Sequence, residues 1–286
     1  MRVRWAISLE ETMISSSFQN SFRRAILCSA ESDVKHQRKF RFKEDALACL
    51  IGRLMSRAAA VLVTSQSWSE LEFTRNENGK PSLVNQSVKF EYNVSHHGDL
   101  VVLVTGDSRI GVDVMQIEES RLETAEKKID MLKRHFSENE ILAVKGGEKS
   151  ELQRWQAFFR IWCLKESILK ATGVGLPDGL HNHTFQVDSD YEHVPGHTTT
   201  STRYFHRQNY QPQWVFEESF IGEKHCIAVA SEVKTPSAHT STFLEGVIPF
   251  QMTSLHEILK NADFINVSAD VDEELDAFME KPNKTF

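Results

Sequence analysis

The chain has 286 residues, 40% of them hydrophobic and 26% charged, with a formal net charge of −7. That balance suits one large globular domain or two small ones, and the negative charge argues against a nucleic-acid partner, which needs a concentrated basic face. No stretch reads as the roughly 18–20 apolar residues that cross a bilayer, so no membrane partner is expected.

Residues 2–9, VRWAISLE, predict a first strand, and helical patterning follows at 18–27. Phe42, Ala46, Leu50, Leu54, Ala58 and Val61 recur at helical spacing and predict a long amphipathic helix over 42–63. LEFT (71–74) leads into the turn cluster NENGKP, and KFEYNVS (89–95) with DLVVLVTG (99–106) predicts a hairpin. RIGVDVMQ (109–116) is a further strand. Helices are expected over 121–135, 138–144 and 151–171, the last ended by Gly173 and Gly175. Strands follow at 183–187, 202–206, 213–218 and 225–231. Each half therefore mixes helices with an antiparallel meander, which predicts an α+β fold of two similar subdomains. The expected divisions are 1–108, 109–232 and a C-terminal extension over 233–286, with a linker at 233–242, one more strand and a short helix docked within 243–262, and a mobile end.

The N-terminus, MRVRWAISLEE, has too short an apolar stretch for a signal peptide, so a cytosolic (cytoplasmic) protein is expected. Cys28, Cys49, Cys163 and Cys226 are scattered among apolar neighbours and are expected to be reduced core thiols.

In the long helix, Trp155, Phe159, Trp162, Glu166 and Lys170 share one row. The Glu–Lys pair is either a solvated surface pair or a charged site that interrupts an apolar segment and runs into GVG. Asp113, between valines, either faces water at an edge or is paired or metal-bound, since an isolated buried carboxylate is costly. NVSHHGD (93–99) is a hairpin turn or a set of phosphate donors, and Lys80 before Pro81 is a loop lysine or a ligand contact. HNH at 181–183 lacks a Cys or an acidic partner at ligand spacing and reads as loop.

Taken in order, GKP (79–81), N-x-S-H (93–96), G-x-D (111–113) and W-x-x-K-E-S-x-x-K (162–170) resemble the 4′-phosphopantetheinyl transferase superfamily, and RKFRFKEDA (38–46) fits as well. The likeness spans residues 1–232 and is to the pseudo-dimeric animal type linked to aminoadipate-semialdehyde dehydrogenase. The resemblance implies a monomer with its active site in the cleft between the two subdomains. It implies transfer of 4′-phosphopantetheine from coenzyme A to a serine of apo acyl- or peptidyl-carrier domains, of fatty acid synthase or aminoadipate-reductase type, with release of adenosine 3′,5′-bisphosphate. Asp113 and Glu166 would ligate Mg²⁺, Glu166 would draw the proton from the carrier serine, and Lys170 would offset charge on the leaving group. His36, Arg75, Lys80, Pro81, Asn93, Ser95 and His96 would bind CoA.

Two departures accompany the resemblance. Met115 stands where many bacterial relatives carry a second acid, and His36, beside Lys35 and Arg38, stands where a basic residue binds the CoA 3′-phosphate. Acidic carriers require a local basic docking surface, for which Lys133, Arg134 and Lys165 are the candidates. The competing functions are an inactive carrier- or CoA-binding protein and a Mg²⁺-dependent hydrolase of the CoA pyrophosphate.

Overall fold

The computed structural model describes all residues except 78, 86–87, 119–121, 176–177, 189–193, 195, 234–246 and 285–286. The chain divides into one unit of Met1–Thr74, Pro81–Thr105 and Phe250–Phe286, and a second of Arg75–Lys80 and Gly106–Pro249. Both mix helices with sheet, the α+β class expected.

In the first unit, β1 (Arg4–Ser8) leads into α1 (Leu9–Ile14), α2 (Phe18–Leu27), α3 (Glu31–Arg38) and α4 (Lys43–Thr64). The short strands β2 (Phe73–Arg75) and β3 (Pro81–Leu83) precede the hairpin β4 (Glu91–His97) and β5 (Leu100–Gly106). After the second unit the chain supplies β12 (Gln251–Met252), α8 (Leu255–Leu259) and α9 (Val271–Met279). The sheet order is β12-β1-β5-β4, with Trp5 opposite Leu103 on one side and Gln251 on the other. The apolar stripe of α4 is buried through Ala46, Leu50 and Leu54. By length and composition α4 could cross a bilayer, contrary to the expectation that no stretch would; here 67% of its apolar window is buried as a core helix.

The C-terminal end also differs from expectation. It forms α9, whose Asp270 side chain caps Glu273 N and whose Phe278 ring lies 4.7 Å from that of Phe22. Leu275 and Phe278 are apolar positions one turn apart, so the acidic segment hides a buried face. The expected linker at 233–242 lies outside the described residues except for Val233.

Beyond Arg75–Lys80, the second unit comprises β6 (Ile110–Gln116), followed by α5 (Ala125–Met131), α6 (Glu138–Lys145) and α7 (Glu151–Thr172). Next come β7 (His183–Gln186), β8 (Arg203–His206), β9 (Asn209–Tyr210), β10 (Trp214–Ile221) and β11 (His225–Glu232). One antiparallel sheet runs β10-β11-β6 and another β7-β8-β9. Reciprocal capping boxes start two helices, Ser137 with Glu140 at α6 and Ser150 with Gln153 at α7. Trp155, Phe158, Ile161, Leu164 and Ile168 from α7 pack with Phe216 and Ala228 in this unit's core. α4 and α7 are both 22-residue helices with buried apolar faces, the common feature of the two units.

Candidate active site

β6 and α7 build the centre. Residues 111, 113 and 115 share one face of β6 by the two-residue strand period. A side-chain carbon on Gly111 would lie 2.2 Å from the Ser167 carbonyl oxygen and 2.4 Å from the Ala171 nitrogen, so that face lies directly against α7. Asp113, two residues on and opposite Ala228 of β11, is buried. Its Oδ1 accepts from Lys170 Nζ at 2.6 Å. The ion pair answers the cost of burying a carboxylate in a strand; of the two readings left open, Asp113 is the paired one.

Glu166 lies one helical turn before Lys170 on α7 and is half-buried. Burial pushes its carboxyl above the ordinary range, the Asp113 charge adds to that rise, and Lys170 opposes it. Two carboxylates thus sense one another beside a single ammonium. Hard oxygen donors of this kind suit Mg²⁺, which is commonly held by one or two carboxylates together with substrate phosphates and waters. The donor set therefore fits a divalent ion of the magnesium class. Met115 contributes no third acid; it lies opposite Cys226, whose thiol donates to the Met115 carbonyl at 3.6 Å.

The segment 75–80 belongs to the same unit and is tied to itself. Arg75 donates to Gly79 O at 2.7 Å, Asn76 N to Lys80 O at 3.0 Å, and Lys80 N to Asn76 Oδ1 at 2.8 Å. Lys80 Nζ donates to Ala171 O at 2.8 Å, one of the carbonyls that a helix end leaves without an intrahelical partner. A cation there also complements the negative end of the helix dipole. Gly173 ends α7 at φ +69 and leaves room for the Lys80 stem, whose Cδ would be 3.4 Å from an added side-chain carbon.

The remaining expected CoA contacts lie on the first unit. Asn93 and Ser95 are buried on one face of β4, His96 is exposed on the same strand, and Pro81 opens β3. His36 is exposed on α3, edge-on to Phe40. Its neighbours are engaged by acids: Lys35 pairs with Glu31 at 2.7 Å, and Arg38 with Glu274 at 2.7 Å and Glu273 at 3.0 Å.

Lys165 departs from expectation. It is fully buried, 3.0 Å from an equally buried Glu140, and donates to the His183 and Leu180 carbonyls. It therefore has no place on a docking surface. Burial holds its ammonium below the ordinary range, against the pull of Glu140. The helical rows gave the signal, since Lys165 stands in line with Ile161 and Ile168 on the apolar side. Glu140 was missed because its role depends on α6 meeting α7. It also accepts from Ser137 N at 2.7 Å, the local capping bond, and from Phe185 N at 2.9 Å, so its partners beyond the cap are fixed by tertiary structure.

Comparison with known proteins adds independent findings. Residues 16–108 match the family described as 4′-phosphopantetheinyl transferase, N-terminal, and residues 109–230 match the 4′-phosphopantetheinyl transferase superfamily. The chain is 31% identical over 242 residues to the L-aminoadipate-semialdehyde dehydrogenase-phosphopantetheinyl transferase of Homo sapiens, covering 83% of this chain and 77% of that protein. It is 30% identical over 201 residues to a phosphopantetheinyl transferase of Thraustochytrium, covering 68% and 67%. A 4′-phosphopantetheinyl transferase of Bacillus pumilus is 32% identical over 154 residues, covering 53% and 61%.

Proposed function

The chain belongs to the 4′-phosphopantetheinyl transferase superfamily and transfers phosphopantetheine from CoA to carrier proteins, and from that premise we propose that Asp113 and Glu166 hold Mg²⁺ and that Glu166 and Lys170 run the proton and charge transfers. Enzymes of this family take CoA as substrate and generally depend on a metal ion. The observation that carries the residue assignment is the Lys170–Asp113 pair, 2.6 Å long, beside a Glu166 carboxyl raised by burial and by Asp113.

In the proposed reaction the carrier serine oxygen attacks the phosphorus next to pantetheine. The P–O bond to the adenosine 3′,5′-bisphosphate leaving group breaks as the new one forms. Glu166 takes the serine proton, directly or through a water, and its raised carboxyl suits a base working nearer neutral pH. Lys170 would offset charge on the leaving adenosine 3′,5′-bisphosphate, while Asp113 holds that ammonium in place. Asp113 and Glu166 would hold Mg²⁺, which when bound would supply charge neutralisation to the pyrophosphate. Positioning and electrostatics then account for most of the rate, as in other phosphoryl-type transfers.

The CoA-binding roles of Arg75, Lys80, His36, Pro81, Asn93, Ser95 and His96 belong to this proposal and rest on the resemblance. With Lys35 and Arg38 held by acids, His36 is the preferred contact for the 3′-phosphate. Met115 would leave the metal one protein ligand short of many bacterial relatives, a position that a water would take. We further propose a cytosolic monomer acting on fatty acid synthase and aminoadipate-reductase carriers. The name of the human relative supports the second carrier type.

The test is one incubation of the protein with CoA, Mg²⁺ and an apo carrier. The carrier should gain the mass of the phosphopantetheine unit. Release of adenosine 3′,5′-bisphosphate with an unmodified carrier would point to the hydrolase, and no reaction to an inactive binding protein. Glu166→Gln and Asp113→Ala should each abolish turnover in a folded protein, and normal rates in both would remove the assignment.

A further inference from the structure

The HNH stretch, which read as loop for want of an acidic partner, acquires one in three dimensions. His183 opens β7 and lies directly opposite His206 of β8 in the antiparallel register, with imidazole centroids 5.0 Å apart. Asp178 approaches both: its Oδ2 is 2.9 Å from His183 Nε2 and 3.0 Å from His206 Nε2. The three ligand atoms lie within 4.8 Å of one another. Its other oxygen, Oδ1, is taken by Arg207 at 3.2 Å. One carboxylate oxygen is thus left to face two ring nitrogens.

His183 is the informative member. It is 2% exposed, and its Nε2, although 2.9 Å from the carboxylate, makes no well-aligned hydrogen bond among the described residues. Its other nitrogen, Nδ1, lies 2.6 Å from Tyr204 Oη. A ring that donates Nδ1–H to the tyrosine presents a bare Nε2 lone pair to Asp178. Lone pair against carboxylate is repulsive, unless a cation stands between them.

We infer that Asp178, His183 and His206 form a structural zinc site, with Tyr204 orienting His183 and a water completing the shell. Two imidazoles and one carboxylate are a borderline-soft donor set, which selects Zn²⁺ over Mg²⁺. A tyrosine on the non-ligating nitrogen of a ligand histidine is the outer-shell partner such sites use to fix the tautomer. Tetrahedral zinc with bonds of about 2.0–2.1 Å sets its ligand atoms about 3.3 Å apart. The two contacts of 2.9 and 3.0 Å need to open by only a few tenths of an ångström. The site joins the segment that leaves α7 to the β7–β8 pair. Lys165, adjacent to Glu166, is anchored on the carbonyl of His183 itself. Zinc therefore stiffens the support beneath the candidate active site without touching its carboxylates.

The experiment uses the full chain, stripped with chelator and dialysed into excess Mg²⁺. Zn²⁺ is titrated by calorimetry and thermal denaturation, and Co²⁺ by visible absorption. Wild type should bind one Zn²⁺ per chain, gain thermal stability, and give the intense Co²⁺ bands of four-coordination. His206→Gln, at a half-buried position that tolerates substitution, should weaken Zn²⁺ binding about 100-fold and lose both the stability gain and the bands. Asp178→Asn should behave likewise. Asp113→Asn, in the other carboxylate site, should keep Zn²⁺ binding. Carrier modification with Mg²⁺ should stay within a few-fold in His206→Gln. Absence of Zn²⁺ stabilisation in wild type, an equal gain in His206→Gln, or loss of binding in Asp113→Asn overturns the site.

Discussion

Lys170 Nζ stands 2.6 Å from Asp113 Oδ1, joining the last turn of α7 to the middle of β6. The pair is lopsided, with the lysine side chain 30% exposed and the aspartate 6%. Lys170 can therefore turn toward a ligand, whereas Asp113 cannot leave. Lys170→Met keeps the aliphatic stem and removes the charge. Carrier modification should fall about 10²–10³-fold, the scale of losing one transition-state donor, with a smaller change in KM for CoA. Removing the competing ammonium should leave Mg²⁺ binding intact or tighter. A wild-type kcat in Lys170→Met, measured by carrier mass gain over time, would end the proposed role.

The raised carboxyl of Glu166 makes a pH prediction whose sign is fixed. A group with a folded-state value above its ordinary one contributes stability at low pH and loses that contribution as pH rises through the folded-state value. For Glu166 the loss starts above 4.5, the ordinary glutamate value. The ionised pair of acids that results is the state a divalent ion stabilises. Thermal denaturation with and without Mg²⁺ should show a stabilisation that grows as pH rises through that window. Glu166→Gln should flatten the dependence. A Mg²⁺ effect independent of pH in wild type would contradict the assignment.

The elements that sequence periodicity located best are those with a single buried stripe: the core of α4, the length of α7 and the hairpin of β4 and β5 all lie where spacing places them. α9 escaped because net acidity masks a short apolar face whose partner, Phe22, is more than two hundred residues away. The same reason hid the Asp178 cluster. Asp178 and His206 are 28 positions apart, and only the β7–β8 register brings the second histidine to the first. Asp113 and Lys170 could be singled out as chemically odd residues in apolar surroundings. That they meet depends on the close packing of β6 on α7.

The buried Lys165–Glu140 pair separates structural from docking charges. Removing one partner of such a pair typically costs about 3–5 kcal/mol, because the other charge is left buried without compensation. Glu140→Ala should destabilise the protein by that order in urea denaturation. Replacing both residues by apolar ones of similar size should recover much of the loss. Lys133 and Arg134 are, in contrast, exposed on a 3₁₀ turn at Lys133–His135. Reversing both charges should leave stability unchanged and raise KM for an acidic carrier, with a weaker effect at high salt. An unchanged KM removes these two from the docking surface. A Glu140→Ala protein as stable as wild type would contradict the buried pair.

Gly111 sets the spacing on which the site depends. Its missing side-chain carbon would fall 2.2 Å from the Ser167 carbonyl oxygen and 2.4 Å from the Ala171 nitrogen, both backbone atoms that no rotamer change can move. Gly111→Ala must push α7 away from β6. Overpacking of this kind costs about 1–3 kcal/mol or more. The displacement acts on the turn that carries Lys170, so the 2.6 Å bond to Asp113 should break and activity should fall further than the lost stability explains. The measurement is carrier modification at a temperature where denaturation curves show both proteins fully folded. A folded Gly111→Ala protein with wild-type turnover would mean that the helix-to-strand distance does not govern the chemistry.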